Sequence, residues 1–139
     1  MDSAALRDFA GRYTKAWCSQ NATSVAAFFS GDGSLCVNDG EPAVGRDAIT
    51  AIAQGFMTAF PDLEVLMDDV EEHPDRAVYR WTLVGTHSGP GGSGHRVRIS
   101  GFEVWRFGAD GLIAESRGQF DNNEYQRQLQ HGLQSAGEE

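Results

Sequence analysis

Four runs between residues 63 and 120 constrain the fold of this chain more than any other feature. Leu63–Val70, Ala77–His87, Arg96–Phe107 and Leu112–Phe120 are rich in β-branched and aromatic residues, the composition of strands. HPD (73–75) and GADG (108–111) make tight connections between them, and SGPGGSG (88–94) makes a longer, glycine-rich loop. That loop is not a phosphate loop, because no Gly-Lys-Ser/Thr follows it and no helix starts there.

The first half has a different period. Asp2 or Ser3 can cap a first helix, along which Leu6, Phe9, Tyr13, Ala16 and Trp17 recur at helical spacing. Val25 to Phe29 reads as a short second helix, SGDGS (30–34) as a turn, and Leu35–Val37 as a short strand. A Gly-Glu-Pro turn follows. Asp47 then caps a third helix with Ile49, Ile52, Phe56 and Phe60 on one stripe, and Pro61 stops it. Near the C-terminus, residues 122–133 can form a turn or two of helix. Helices first and antiparallel strands after them predict an α+β fold. A curved, mostly antiparallel sheet wrapped around the N-terminal helices makes a cone whose open end leaves an apolar pocket. The expected organisation is one domain over 1–133, with 134–139 a frayed tail.

Composition narrows the function classes. The 139 residues are 40% hydrophobic, enough for a core, and the net charge is −9. With no Lys/Arg cluster, that charge argues against nucleic acid and anionic membranes. No apolar run nears the roughly 20 residues that span a bilayer, and the N-terminus lacks signal-peptide features, so a cytoplasmic protein is expected. Cys18 and Cys36 read as free, small apolar residues, with a single bridge between them as the alternative. His73, His87, His95 and His131 show no i, i+4 pair, so no metal site is expected. No Ser, Cys or Thr sits in a nucleophile elbow.

One residue breaks the strand pattern. In GFEVWRF (101–107), alternation puts Glu103 on one face with Gly101, Trp105 and Phe107. A carboxyl among aromatics on a buried face has a raised pKa, which is useful in catalysis. The structural alternatives are an exposed or bulged strand, or a pairing with Arg98 or Arg117.

The segments FFSGDGSL (28–35), VGRDAI (44–49), AFPDLEV (59–65), GTHSG (85–89), FEVWRFGADGLIAE (102–115) and FDNNEYQRQLQHG (120–132) resemble, in order, those of the SnoaL-like polyketide cyclases. These belong to the nuclear transport factor 2-like superfamily, with ketosteroid isomerases and limonene epoxide hydrolases. The resemblance implies a cone-shaped α+β fold, often a homodimer through its sheet, with no metal or organic cofactor. It implies a small, apolar, ketone-bearing substrate, closed into a ring by intramolecular aldol condensation. Asp121, at the end of the last strand, resembles the acid/base aspartate of that family. Alternation groups it with Ile113, Glu115, Arg117 and Gln119, and a slip of two residues would put Gln119 or Arg117 in its place. Its structural alternative is a helix cap.

Glu103 stands where ketosteroid isomerases carry an aspartic acid that stays protonated and donates to a developing enolate. Tyr13, in RYTKAW, matches a tyrosine that donates to the same oxygen; its alternative is a core tyrosine. Asp39 falls near the isomerase base, and Asp39-Gly40 is equally an ordinary turn. His87 shares alternation with Trp81 and Leu83 and can shuttle a proton, or else it ties down the glycine loop. Trp17, Phe56, Phe60, Trp81 and Trp105 read first as core and second as pocket wall. Two other readings stay open. Arg117 with Glu103 and Asp121 distantly resembles the Asp-Arg-Asp water-activating set of epoxide hydrolases. A carrier or dimeric scaffold needs only an apolar cavity.

Overall fold

The computed structural model describes residues 2–133; the tail expected at 134–139 lies outside them. Helix α1 (Ser3–Cys18) starts at Asp2, whose carboxylate accepts the Ala5 N–H at 2.8 Å. Its Leu6, Phe9, Tyr13, Ala16 and Trp17 are all buried, as the helical spacing requires. A short α2 (Ala22–Ala26) follows, capped by Asn21 and ending before Phe29. Strand β1 (Phe29–Val37) then begins, so SGDGS is strand rather than turn. Its glycines explain why it does not look like one. A Cβ at Gly33 would lie 2.8 Å from the Ile113 carbonyl, and the β1 register shifts between Phe29 and Ser34.

The two-residue β2 (Ala43–Val44), hidden in the sequence, pairs with β1. Helix α3 (Arg46–Ala59) has Gly45 at its N-cap, and Asp47 lies one residue inside the first turn. Its stripe divides in two. Ile49, Ala53 and Met57 are buried, while Ile52 and Phe56 are half-buried. Strands β3 (Glu64–Glu72), β4 (Ala77–Thr86), β5 (Arg96–Phe107) and β6 (Ile113–Phe120) are the four predicted runs, and α4 (Asn122–His131) closes the described chain.

The sheet order is β2-β1-β6-β5-β4-β3, antiparallel throughout except for the parallel β1–β6 pair. It curls without closing, and α1 packs on β3 while α3 packs on β1 and α2. One irregularity matters for function. Arg106 pairs with Glu115 but Phe107 pairs with Ile113, which leaves Ala114 as an extra, bulged residue. Beyond the bulge the parity of β6 reverses. Ser116 and Gly118 are buried, while Arg117 is exposed. The expected common face of Ile113, Glu115, Arg117, Gln119 and Asp121 does not exist. Both cysteines are free thiols, and no helix of the described residues is long and apolar enough to cross a membrane.

Candidate active site

An apolar cavity of about 60 Å³ opens between α1, α3, α4 and the inner face of the sheet. Its floor is made by buried side chains, among them Leu35, Val65, Leu83 and Ile99. Half-buried residues make the mouth: Val37, Ile52, Phe56, Trp81, Phe120 and Tyr125. Among the described residues, one carboxyl lines the cavity, that of Glu103.

Strand alternation and register place that carboxyl. Glu103 and Trp105 share the inner face of β5, opposite Tyr79 and Ala77 of β4 and Gly118 and Ser116 of β6. Gly118 leaves the space across from Glu103 open, since a Cβ there would meet the Glu103 Cγ only at 3.6 Å. Three neutral donors hold the carboxyl. The Ser116 hydroxyl donates to Oε1 at 2.7 Å, the Trp105 indole N–H at 2.9 Å and the Tyr13 hydroxyl at 3.0 Å. Oε2 takes only the longer Tyr13 contact, 3.2 Å. The donors are themselves fixed by packing. Trp105 stacks on Tyr79 with ring centroids 4.8 Å apart, and Tyr13 meets Trp105 edge-on at 5.1 Å. The Tyr79 hydroxyl is bonded to Thr14 Oγ1 at 2.5 Å.

Among the described residues no cation is paired with Glu103. Burial raises its pKa above the ordinary carboxylate value, against the lowering pull of Trp105, Ser116 and Tyr13. Burial also pushes the Tyr13 hydroxyl well above its usual value, helped by the nearby Glu103 charge, so Tyr13 stays a neutral donor. A carboxyl with one saturated oxygen, one largely open oxygen and a raised pKa in an apolar cavity can take and return a proton.

The other candidates lie elsewhere. Asp121 is exposed, and its carboxylate caps α4 by accepting the Glu124 N–H at 3.1 Å. Arg117 points outward to Glu115 at 3.3 Å. Gln119 donates to Asp39 at 3.1 Å, and neither residue lines the cavity. Asp39 itself is an exposed turn residue with φ 61°. The Ala114 bulge is the reason Arg117 and Gln119 miss the cavity. It also means that Glu103, Arg117 and Asp121 do not assemble into an epoxide-hydrolase-like set. His87 holds the glycine loop: its Nδ1 accepts the Ser93 N–H at 3.1 Å, and its ring tilts against Phe60 at 5.5 Å.

Of the expected pocket aromatics, Trp17, Phe56 and Trp81 line the cavity; Phe60 and Trp105 are fully buried core. Sequence reasoning missed Ser116, Gly118, Tyr79 and Tyr125. The pairing of Trp105 with Ser116 would have exposed the first two, but only with the bulge known. Among the described residues no group of three His, Cys, Asp or Glu side chains is placed to hold a metal ion.

The family model for SnoaL-like polyketide cyclases matches residues 7–129. The chain belongs to that family. Among solved structures, a candidate SnoaL-like polyketide cyclase from Jannaschia sp. CCS1 superposes with a TM-score of 0.78 at 20% identity, covering 89% of this chain and 90% of that one. TsrD from Streptomyces laurentii gives 0.79 at 20% identity, covering 96% and 99%. The epoxide hydrolase/cyclase-like enzyme SalBIII, linked to pyran ring formation in the polyether salinomycin, gives 0.75 at 13%, covering 88% and 95%. At these identities the likeness shows the shared nuclear transport factor 2-like fold. A comparison with curated proteins finds no match.

Proposed function

We propose that this SnoaL-like protein is a cofactor-independent acid/base enzyme acting on a compact, apolar carbonyl compound, as a cyclase or isomerase does. The observation that carries this reading is Glu103, the one carboxyl in an otherwise apolar cavity, held on Oε1 by three neutral donors. Family membership supports the reaction class.

The chemistry balances with this single carboxyl. Ionised Glu103 takes a proton from the carbon beside a substrate carbonyl, leaving an enolate. In a cyclisation, the enolate carbon attacks a second carbonyl of the same molecule, and the resulting alkoxide takes the proton back from Glu103. In an isomerisation the proton returns to a different carbon. The raised pKa makes Glu103 a stronger base than an exposed carboxylate. Asp121, which the family resemblance casts as the acid/base, stands outside the cavity, so Glu103 takes that role here. The cavity of about 60 Å³ is smaller than the roughly 150 Å³ that admits benzene in an engineered protein core. Entry of a ring-sized substrate therefore requires outward movement of the half-buried side chains at the mouth.

The test does not need the natural substrate. In D2O, the protein should accelerate exchange of the α-protons of 2-indanone, read by proton NMR. Glu103→Gln should lower that exchange by about 10²–10⁴-fold, the usual contribution of a positioned acid/base group. Equal exchange by the two proteins would exclude Glu103 as the proton carrier. A wild type that binds 2-indanone without exchanging its protons would mark a carrier instead.

A further inference from the structure

Trp81 carries the one buried side-chain nitrogen or oxygen among the described residues that lacks a hydrogen-bond partner, its Nε1. Buried polar atoms are almost always paired, so an orphan points to a missing partner. The surroundings say what kind. Trp81 is on the inner face of β4, paired with Gly101 of β5, and its side chain lines the cavity. The ring lies over Gly101: a Cβ there would come 2.6 Å from Trp81 Cζ2 and 2.4 Å from the Gln119 carbonyl. Gly101 thus makes room for the indole. Phe120 supports it edge-on at 5.9 Å.

Glu103 pairs with Tyr79, two residues from Trp81, so Trp81 and Glu103 are diagonal neighbours on one face, with roughly 7–8 Å between such positions. Other donors beside the carboxyl are already committed. Tyr13, Trp105 and Ser116 bind Glu103, and Tyr79 is bonded to Thr14.

We infer that the Trp81 N–H is the donor that binds the substrate's carbonyl oxygen and stabilises it as an enolate, while Glu103 works on the adjacent carbon. This rests on the proposed proton transfer in the same cavity. It assigns to Trp81 the oxyanion-binding task that sequence reasoning gave to Glu103, Tyr13 or His87. A donor already in place, in an apolar site, is worth most where negative charge develops. The cavity would then select ring-sized ketones over hydrocarbons of the same shape.

The experiment compares 2-indanone with indane in ¹⁵N–¹H spectra of the intact protein. Three tryptophans give three indole signals. Trp81 is assigned from its contacts to Phe120 and by its loss in Trp81→Phe. The ketone should move the Trp81 indole proton downfield, and indane should not. Trp81→Phe should weaken 2-indanone binding roughly 3- to 10-fold, as expected for one neutral hydrogen bond, and leave indane binding unchanged. A bound ketone that leaves the Trp81 signal in place overturns the inference, as does an equal loss of affinity for both probes. Failure of 2-indanone to shift any cavity signal also overturns it. The wild-type titration decides even if the variant does not fold. The proton-transfer reading fails separately, through undiminished exchange in Glu103→Gln, which the indole signal does not report.

Discussion

Glu103 accepts hydrogen bonds from three side chains and Glu124 from two, yet their acidities move in opposite directions. Glu103 is buried and its donors are neutral, and its pKa rises. Glu124, on α4, is bound by both nitrogens of Arg127 at 2.9 and 2.7 Å and by Gln128 at 2.7 Å, and its pKa falls to about 2. The count of donors therefore does not decide ionisation. Loss of water and absence of a cation decide it for Glu103, and an adjacent guanidinium decides it for Glu124. The inner face of the sheet keeps a carboxyl able to change its charge, whereas the helix that borders the cavity holds one permanently ionised.

The largest stability effect should follow from removing the shared acceptor. Glu103→Ala leaves the buried Tyr13, Trp105 and Ser116 donors without a partner, at about 1–3 kcal/mol for each unsatisfied group. Urea unfolding should show a loss of several kcal/mol for Ala and a much smaller one for Gln, which still accepts at one oxygen. Equal losses would mean that the network contributes packing rather than hydrogen bonding.

Tyr13→Phe should have a smaller and more informative effect. It removes one donor at a cost of about 0.5–1.5 kcal/mol. It also removes a contact that lowers the Glu103 pKa, so the midpoint of α-proton exchange against pH should move upward. In the wild type, exchange should rise with pH as Glu103 ionises, with a midpoint above the ordinary glutamate value of about 4.3. A profile with its midpoint at or below that value would contradict the buried, unpaired carboxyl.

The smallest effect belongs to Glu124, and its sign is opposite. The folded state holds the Glu103 proton over a range where the unfolded chain has lost it. Its contribution to stability is therefore complete below about pH 4.3 and lost as the pH rises through the folded value. That of Glu124 is present above the ordinary carboxylate value and lost as the pH falls toward about 2. Glu124→Gln should leave exchange unchanged and only slightly alter acid unfolding, because the pair is half-exposed at the surface, where solvent screens it. A loss of exchange in that variant would tie α4 to catalysis and undo the contrast.

Periodic features were legible in the sequence. The α1 stripe and the alternation of β5 follow from 3.6- and two-residue repeats, and they placed Tyr13, Glu103 and Trp105 on buried faces without a structure. What was not legible interrupts those repeats. The Gly-Asp-Gly start of β1 has turn composition, and only its neighbours in space make it a strand. The bulge at Ala114 has no signature in IAESRG, so alternation carried past it put Arg117, Gln119 and Asp121 on the wrong side. Ser116 and Trp81 owe their roles to cross-strand neighbours that only the register reveals.

The extra residue at Ala114 has a consequence for how such a pocket could diverge. It divides β6 into two stretches of opposite phase, with Ser116, Gly118 and Phe120 turned inward and Glu115, Arg117 and Gln119 outward. The same sequence paired without the bulge would set Glu115 opposite Trp105 and Arg117 opposite Glu103, and so offer the cavity the charged set instead of the small and aromatic one. The bulge thus works as a selector: with it the strand lines a dry pocket, and without it the same residues would line a polar one.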